Sequence, residues 1–128
     1  MSLHVVIAVI INNKNQILIT KRSADQHQAN KWEFPGGKVE TSETAQQALA
    51  RELQEELGIQ LESATFLTTV KYQYTSKNIV LDVYEVRNWQ GEPKGLEGQP
   101  MCWVERKALS DYDFPAANAE ILRILLVC

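Results

Sequence analysis

Residues 5–11 form an unbroken run of apolar, mostly β-branched side chains, the pattern of a strand buried on both faces. The polar residues 12–15 predict a turn, and 16–21 then alternate, Ile17 and Ile19 against Leu18 and Thr20, which predicts a second strand. Residues 22–33 are polar and irregular, with His27 and Asn30 among them, and read as a loop. From residue 44 to residue 57 the period changes. Ala45, Leu49, Leu53 and Leu57 recur every four positions, an apolar stripe along an α-helix. Thr41 or Ser42 can cap its start, and Gly58 supplies its stop. Residues 66–74 and 79–86 read as strands joined by a turn at 75–78. A loop carrying Gly91, Gly95 and Gly98 follows, then a short strand at 101–104 and a second helix over 117–127. No repeat or linker interrupts this order, so one domain over residues 1–128 is expected, of α+β class, with an α/β/α sandwich as the architecture.

Composition narrows the function classes. The chain has 128 residues, enough to bury one sizeable core, and 45% hydrophobic with 23% charged residues excludes a largely disordered protein. The formal net charge is −3, and no cluster of Lys and Arg makes the basic stripe of a stable nucleic-acid interface. An acidic enzyme still binds a polyanion when metal ions supply the positive charge. Cys102 and Cys128 make neither a CxxC pair nor a zinc spacing and read as reduced thiols. The N-terminus lacks a basic segment with a small-residue cleavage site, and no apolar run is long enough to span a bilayer. A cytoplasmic protein without membrane attachment is expected.

Chemistry concentrates on the first predicted helix. Glu52, Glu55 and Glu56 are spaced i, i+3 and i+4, so at roughly 100° per residue they share one face within an arc of about 100°. That face abuts the apolar stripe, and like charges so placed are costly. Arg51 is one candidate for neutralising them, but on helical angles it points elsewhere. A divalent cation held by several carboxylate oxygens removes the penalty. A solvated Glu-rich surface helix accounts for the three glutamates about equally well.

The flanking residues separate the two readings. Gly37, five residues, Glu43, seven residues, Arg51-Glu52-Leu53, one residue, Glu55-Glu56, one residue, then Gly58-Ile59 fits Gx5Ex7REUxEExGU at every specified position. The chain therefore resembles the Nudix hydrolases. The resemblance implies a Nudix fold, an α/β/α sandwich with a mixed β-sheet and a loop–helix–loop catalytic motif, and hydrolysis of a nucleoside diphosphate linked to another moiety. It implies Mg²⁺, with Mn²⁺ able to substitute, held by Glu52, Glu55, Glu56 and the carbonyl of Gly36. Arg51 would orient a glutamate such as Glu52, and Glu43 would support the fold of the motif. The chemistry fits these residue types: Mg²⁺ neutralises phosphate oxygens and acidifies a water, and a carboxylate, with Glu52 as the candidate base, takes the proton.

Outside the motif the loops resemble the MutT-type branch, the 8-oxo-dGTP diphosphatases. The match runs through Lys21-Arg22, Ala24-Asp25, His27, Ala29-Asn30-Lys31 and 33–38, then Gly91-Glu92-Pro93, Glu97-Gly98-Gln99-Pro100, Asp113-Phe114-Pro115 and Ala117-Asn118. It implies a small nucleotide as partner and hydrolysis of 8-oxo-dGTP to the monophosphate and pyrophosphate, in a protein expected to be a monomer. Asn118 would read the oxidised purine, because its amide offers both a donor and an acceptor; a helix N-cap is the structural alternative. Arg22, His27, Phe34 and Lys38 would contact the nucleotide, and Glu33 and Glu97 would be further carboxylates, Glu97 as a metal ligand. Trp32 and residues 62–78 depart from the pattern, and Asp82, inside an apolar strand, would alter base preference if it faced the pocket. Hydrolysis of another nucleotide, such as a pyrimidine triphosphate, is the nearest alternative, and a non-catalytic nucleotide-sensing module is a different class.

Overall fold

In a computed structural model, which describes residues 2–22 and 30–127, the apolar run becomes strand β1 (Ser2–Ile10) and the alternating segment strand β2 (Gln16–Lys21). Two short strands follow, β3 (Trp32–Glu33) and β4 (Gly36–Lys38), then helix α1 (Ala45–Leu57). A long hairpin pairs β5 (Gln60–Tyr74) with β6 (Lys77–Gln90), and β7 (Met101–Glu105) precedes helix α2 (Ala119–Val127). The hairpin strands outrun the predicted segments because residues 60–65, mostly polar, are held by pairing with 85–90, with only Leu61 and Ala64 packed against the core.

β1 is central. It runs parallel to β6, with Val5 opposite Leu81 and Ile7 opposite Val83, and antiparallel to β4. The order β4-β1-β6-β5 makes the expected mixed sheet; the other three strands form a separate antiparallel sheet, β3-β2-β7. Burial on both faces matches the continuous apolar run. Val6, Ala8 and Ile10 pack with Leu49, Leu53 and Leu57 of α1, while Ile7, Val9 and Ile11 pack with Ile121 and Leu125 of α2. This is the α/β/α sandwich. Each fully buried leucine of α1 contributes about 1.5–3 kcal/mol by removing apolar surface from water.

The cap of α1 is Thr44, not Thr41 or Ser42. Its hydroxyl accepts from the Gln47 N–H at 3.1 Å and the Gln47 side chain accepts from the Thr44 N–H at 2.9 Å, a reciprocal pair that satisfies two otherwise unpartnered donors. Gly58 ends the helix at φ 69°, as the sequence predicts. Two 3-10 helices, Arg106–Asp111 and Ala116–Asn118, were not predicted, and the second delays the start of α2 to Ala119. No helix among the described residues is long and apolar enough to cross a membrane.

Candidate active site

A cavity of about 520 Å³ opens beside α1. Its apolar wall is made by Val5 and Ile7 of β1 with Ile79 and Leu81 of β6, odd-numbered residues that share one face of the sheet. Its other end is acidic, with Glu52 and Glu56 from α1, Glu33 from β3 and Glu97 from the loop after β6.

Arg51 organises the outer side of this acidic end. Its Nε and Nη2 donate to the two oxygens of Glu43 at 2.7 and 3.0 Å, Nη2 also donates to the Lys38 carbonyl at 3.0 Å, and Nη1 donates to Glu52 at 2.8 Å and to Glu55 at 3.3 Å. The expectation that Arg51 points elsewhere is thus corrected: its long side chain folds back across the helix and reaches where Cβ geometry alone does not lead. The Arg51 hydrogen bonds hold the Glu43 carboxyl down at about 2, and Glu43 in turn raises the guanidinium. Glu55 stays exposed on this outer side and does not line the cavity.

Inside the cavity the balance reverses. Burial, a hydrogen bond with Glu52 and then the charges of Glu52, Glu33 and Glu97 push the Glu56 carboxyl up to about 10. Among the described residues Glu56 has no basic partner. Glu33 is also raised, by burial above all, although Arg22 lies 2.5 Å from it. Among the described residues no three acidic, His or Cys side chains are already drawn together as a closed ligand set. The donor set nevertheless suits a divalent cation: hard oxygen donors, excess negative charge and a buried carboxyl that ionises once positive charge arrives.

Glycines make room for this arrangement. A Cβ on Gly37 would stand 2.2 Å from a Glu52 oxygen. A Cβ on Gly36, at φ 153°, would stand 2.0 Å from the Val6 carbonyl, so the close pairing of β4 with β1 requires glycine there.

The cavity is also lined by Phe34, buried and stacked on Phe114 with centroids 5.1 Å apart, and by Asn118. Asn118 is 8% exposed, and among the described residues its side-chain amide makes no hydrogen bond, so the helix-cap alternative is not realised. Arg22 and Lys38 line the cavity, Arg22 engaged with Glu33. His27 and Cys128 lie outside the described residues, and Cys102 is a free, partly buried thiol. Asp82 does not face the pocket. It sits on the opposite face of β6 from Leu81, accepting from Thr69 Oγ1 at 2.7 Å and lying 2.5 Å from His4 Nε2. Tyr74 and Lys77, at the tip of the hairpin, also line the cavity and were not predicted, because only the full hairpin register brings that tip over the site.

These observations agree with the comparisons. The family model described as NUDIX domain matches residues 6–123. The chain is 44% identical over 120 residues to the 8-oxo-dGTP diphosphatase of Escherichia coli (strain K12), covering 94% of this chain and 93% of that protein. It is 33% identical over 121 residues to the CTP pyrophosphohydrolase of the same organism, covering 94% and 90%. A solved structure from a study of MutT from Aliivibrio salmonicida and Vibrio cholerae superposes with a TM-score of 0.87 at 35% identity, covering 99% of this chain and 98% of that one. Nudix proteins generally use a divalent metal. With the nine motif positions on α1 and its flanks, the mixed sheet between two helices and this match, the chain belongs to the NUDIX domain family.

Proposed function

We propose that this protein hydrolyses 8-oxo-dGTP to 8-oxo-dGMP and pyrophosphate, removing an oxidised precursor that would otherwise be inserted opposite adenine. The observation that carries the proposal is a single cavity lined by both a Glu52–Glu56 carboxyl pair and the unengaged amide of Asn118. Oxidation at C8 gives the purine an N7–H donor beside the O6 acceptor. The Asn118 side-chain oxygen accepts from that N–H and its NH₂ donates to O6. An unoxidised guanine presents a lone pair at N7 instead, which sets two acceptors against each other and rejects the base. Phe34, braced by Phe114, supports the base, while Val5, Ile7, Ile79 and Leu81 keep water from its edge.

Glu52, Glu56, Glu97 and the Gly36 carbonyl would hold Mg²⁺, for which Mn²⁺ can substitute, and Glu55 would join by turning in from the helix edge. When bound, the ion supplies charge neutralisation for the phosphate oxygens and acidifies the attacking water. Glu52 takes the proton of that water, and Arg51 holds its carboxylate at a fixed azimuth for the purpose. Arg22 and Lys38 supply positive charge toward the phosphates. Water adds to phosphorus, the phosphoanhydride bond breaks, and pyrophosphate leaves with the electron pair. The test is ³¹P NMR of a turnover with 8-oxo-dGTP and Mg²⁺: the proposal expects 8-oxo-dGMP and pyrophosphate, and release of inorganic phosphate or an unchanged substrate overturns it. The similarity to a CTP pyrophosphohydrolase supports a second reading, hydrolysis of a pyrimidine triphosphate, for which the Asn118 pairing has no use.

A further inference from the structure

Glu97 reaches the acidic end of the cavity from the segment between β6 and β7, where residues 91–100 belong to no strand. Two backbone bonds dock this segment on the last turn of α1: Lys94 N–H to the Leu57 carbonyl and Leu96 N–H to the Glu56 carbonyl, both 3.0 Å. They also satisfy helix-end carbonyls that lack partners within the helix. Neither touches Glu97. That residue is fixed by Gln99, whose side-chain oxygen accepts from the Glu97 N–H at 2.9 Å and whose Nε2 donates to the Glu56 carbonyl at 3.2 Å. One amide group therefore joins the backbones of two cavity-lining glutamates on different elements. The loop is folded tightly around it, since a Cβ on Gly95 would stand 2.4 Å from the Gln99 carbonyl.

We propose that Gln99 is a positioning residue, whose amide sets the Glu97 carboxylate against Glu52 and Glu56 so that the three bind one divalent cation. This rests on the reading of Glu97 as a metal ligand. Glu97 is exposed and followed by Gly98 at φ 78°, so without the amide its carboxylate samples many positions and meets the cation at an entropic cost. The helix end does not depend on the same bond, because Leu96 N–H still serves the Glu56 carbonyl.

The test is Mn²⁺ binding to metal-free protein, read by electron paramagnetic resonance, for the wild type, Gln99→Ala, Glu97→Ala and the double variant. Gln99→Met, which keeps chain length and stem packing, is measured alongside, with thermal midpoints for all. The expected result is a Kd raised about tenfold by either single substitution, and no further increase when Gln99→Ala is added to Glu97→Ala. A wild-type Kd in Gln99→Ala and Gln99→Met, with only a lowered midpoint, would show a purely structural role and overturn the proposal. An equal loss on adding Gln99→Ala to the Glu97→Ala background would overturn it too. If Glu97→Ala itself binds Mn²⁺ like the wild type, the ligand reading beneath the proposal fails first.

Discussion

Gly37→Ala separates catalysis from folding in a single methyl group. The added Cβ would lie 2.2 Å from one Glu52 oxygen and 2.4 Å from its Cδ, whereas ordinary contact begins near 3.4 Å, so the carboxylate retreats by about 1.2 Å. Only the end of a flexible side chain has to move. Gly37 is not at positive φ, and alanine fits its backbone. The displaced Glu52 loses its 2.8 Å bond from Arg51 and its contact with Glu56. A misplacement of about 1 Å in a catalytic group costs about a hundredfold in rate, close to 2.7 kcal/mol of transition-state stabilisation. Stability barely changes, because removing a glycine from the unfolded chain contributes about 0.4–1 kcal/mol in the favourable direction. Gly36→Ala is the internal contrast. There the methyl would meet the Val6 carbonyl at 2.0 Å, so the central strand itself must shift. Steady-state kcat/KM for 8-oxo-dGTP and urea unfolding are to be measured on both variants. Gly37→Ala should lose about two orders of magnitude in kcat/KM at near wild-type stability, and Gly36→Ala should unfold more easily. Wild-type kcat/KM in Gly37→Ala, or a loss of stability equal to that of Gly36→Ala, would refute the reasoning.

Three further outcomes are expected. Glu52→Gln removes the base and should lower kcat by about 10²–10⁴-fold while its far-ultraviolet circular dichroism stays that of the wild type; retained turnover would take that role from Glu52. Asn118→Ala should lower kcat/KM for 8-oxo-dGTP by about 10- to 100-fold and leave dGTP little changed; an equal loss on both would point to a structural effect. Glu56 makes the metal-free protein sensitive to alkali. Its carboxyl is raised from 4.5 to about 10 in the folded state, so its stabilising share is complete below pH 4.5 and is lost as pH rises toward 10. Thermal midpoints in EDTA should therefore fall between pH 5 and 9 in the wild type and fall less in Glu56→Gln, and a common slope would contradict the assignment.

The parts of the fold that bury apolar surface were legible in the chain. The β-branched run at 5–11 reads as a strand buried on both faces, and the four-residue stripe of α1 carries the period of a helix. What was not legible rests on backbone pairing or on long polar side chains. β4 is three residues with two glycines, visible only as the partner of β1. The N-terminal cap was misplaced although Thr44 and Gln47 stand at the capping-box spacing, a signal that could have found it. In the site, the motif located Glu52 and Glu56, and strand parity could have turned Asp82 away from the pocket, since Leu81 faces in. Gln99 stands within the loop match, but nothing there showed the role proposed for it, because only one of its two bonds is local and the other reaches the Glu56 carbonyl, 43 residues away.

The central claim is that the carboxylate end and Asn118 act together on one oxidised nucleotide. The measurement that tests it most directly is kcat/KM for 8-oxo-dGTP, dGTP, CTP and dCTP, each with Mg²⁺ and with EDTA. A strong preference for 8-oxo-dGTP that disappears in EDTA is the predicted result. Metal-dependent turnover that favours CTP or dCTP, or equal turnover of dGTP and 8-oxo-dGTP, would contradict it.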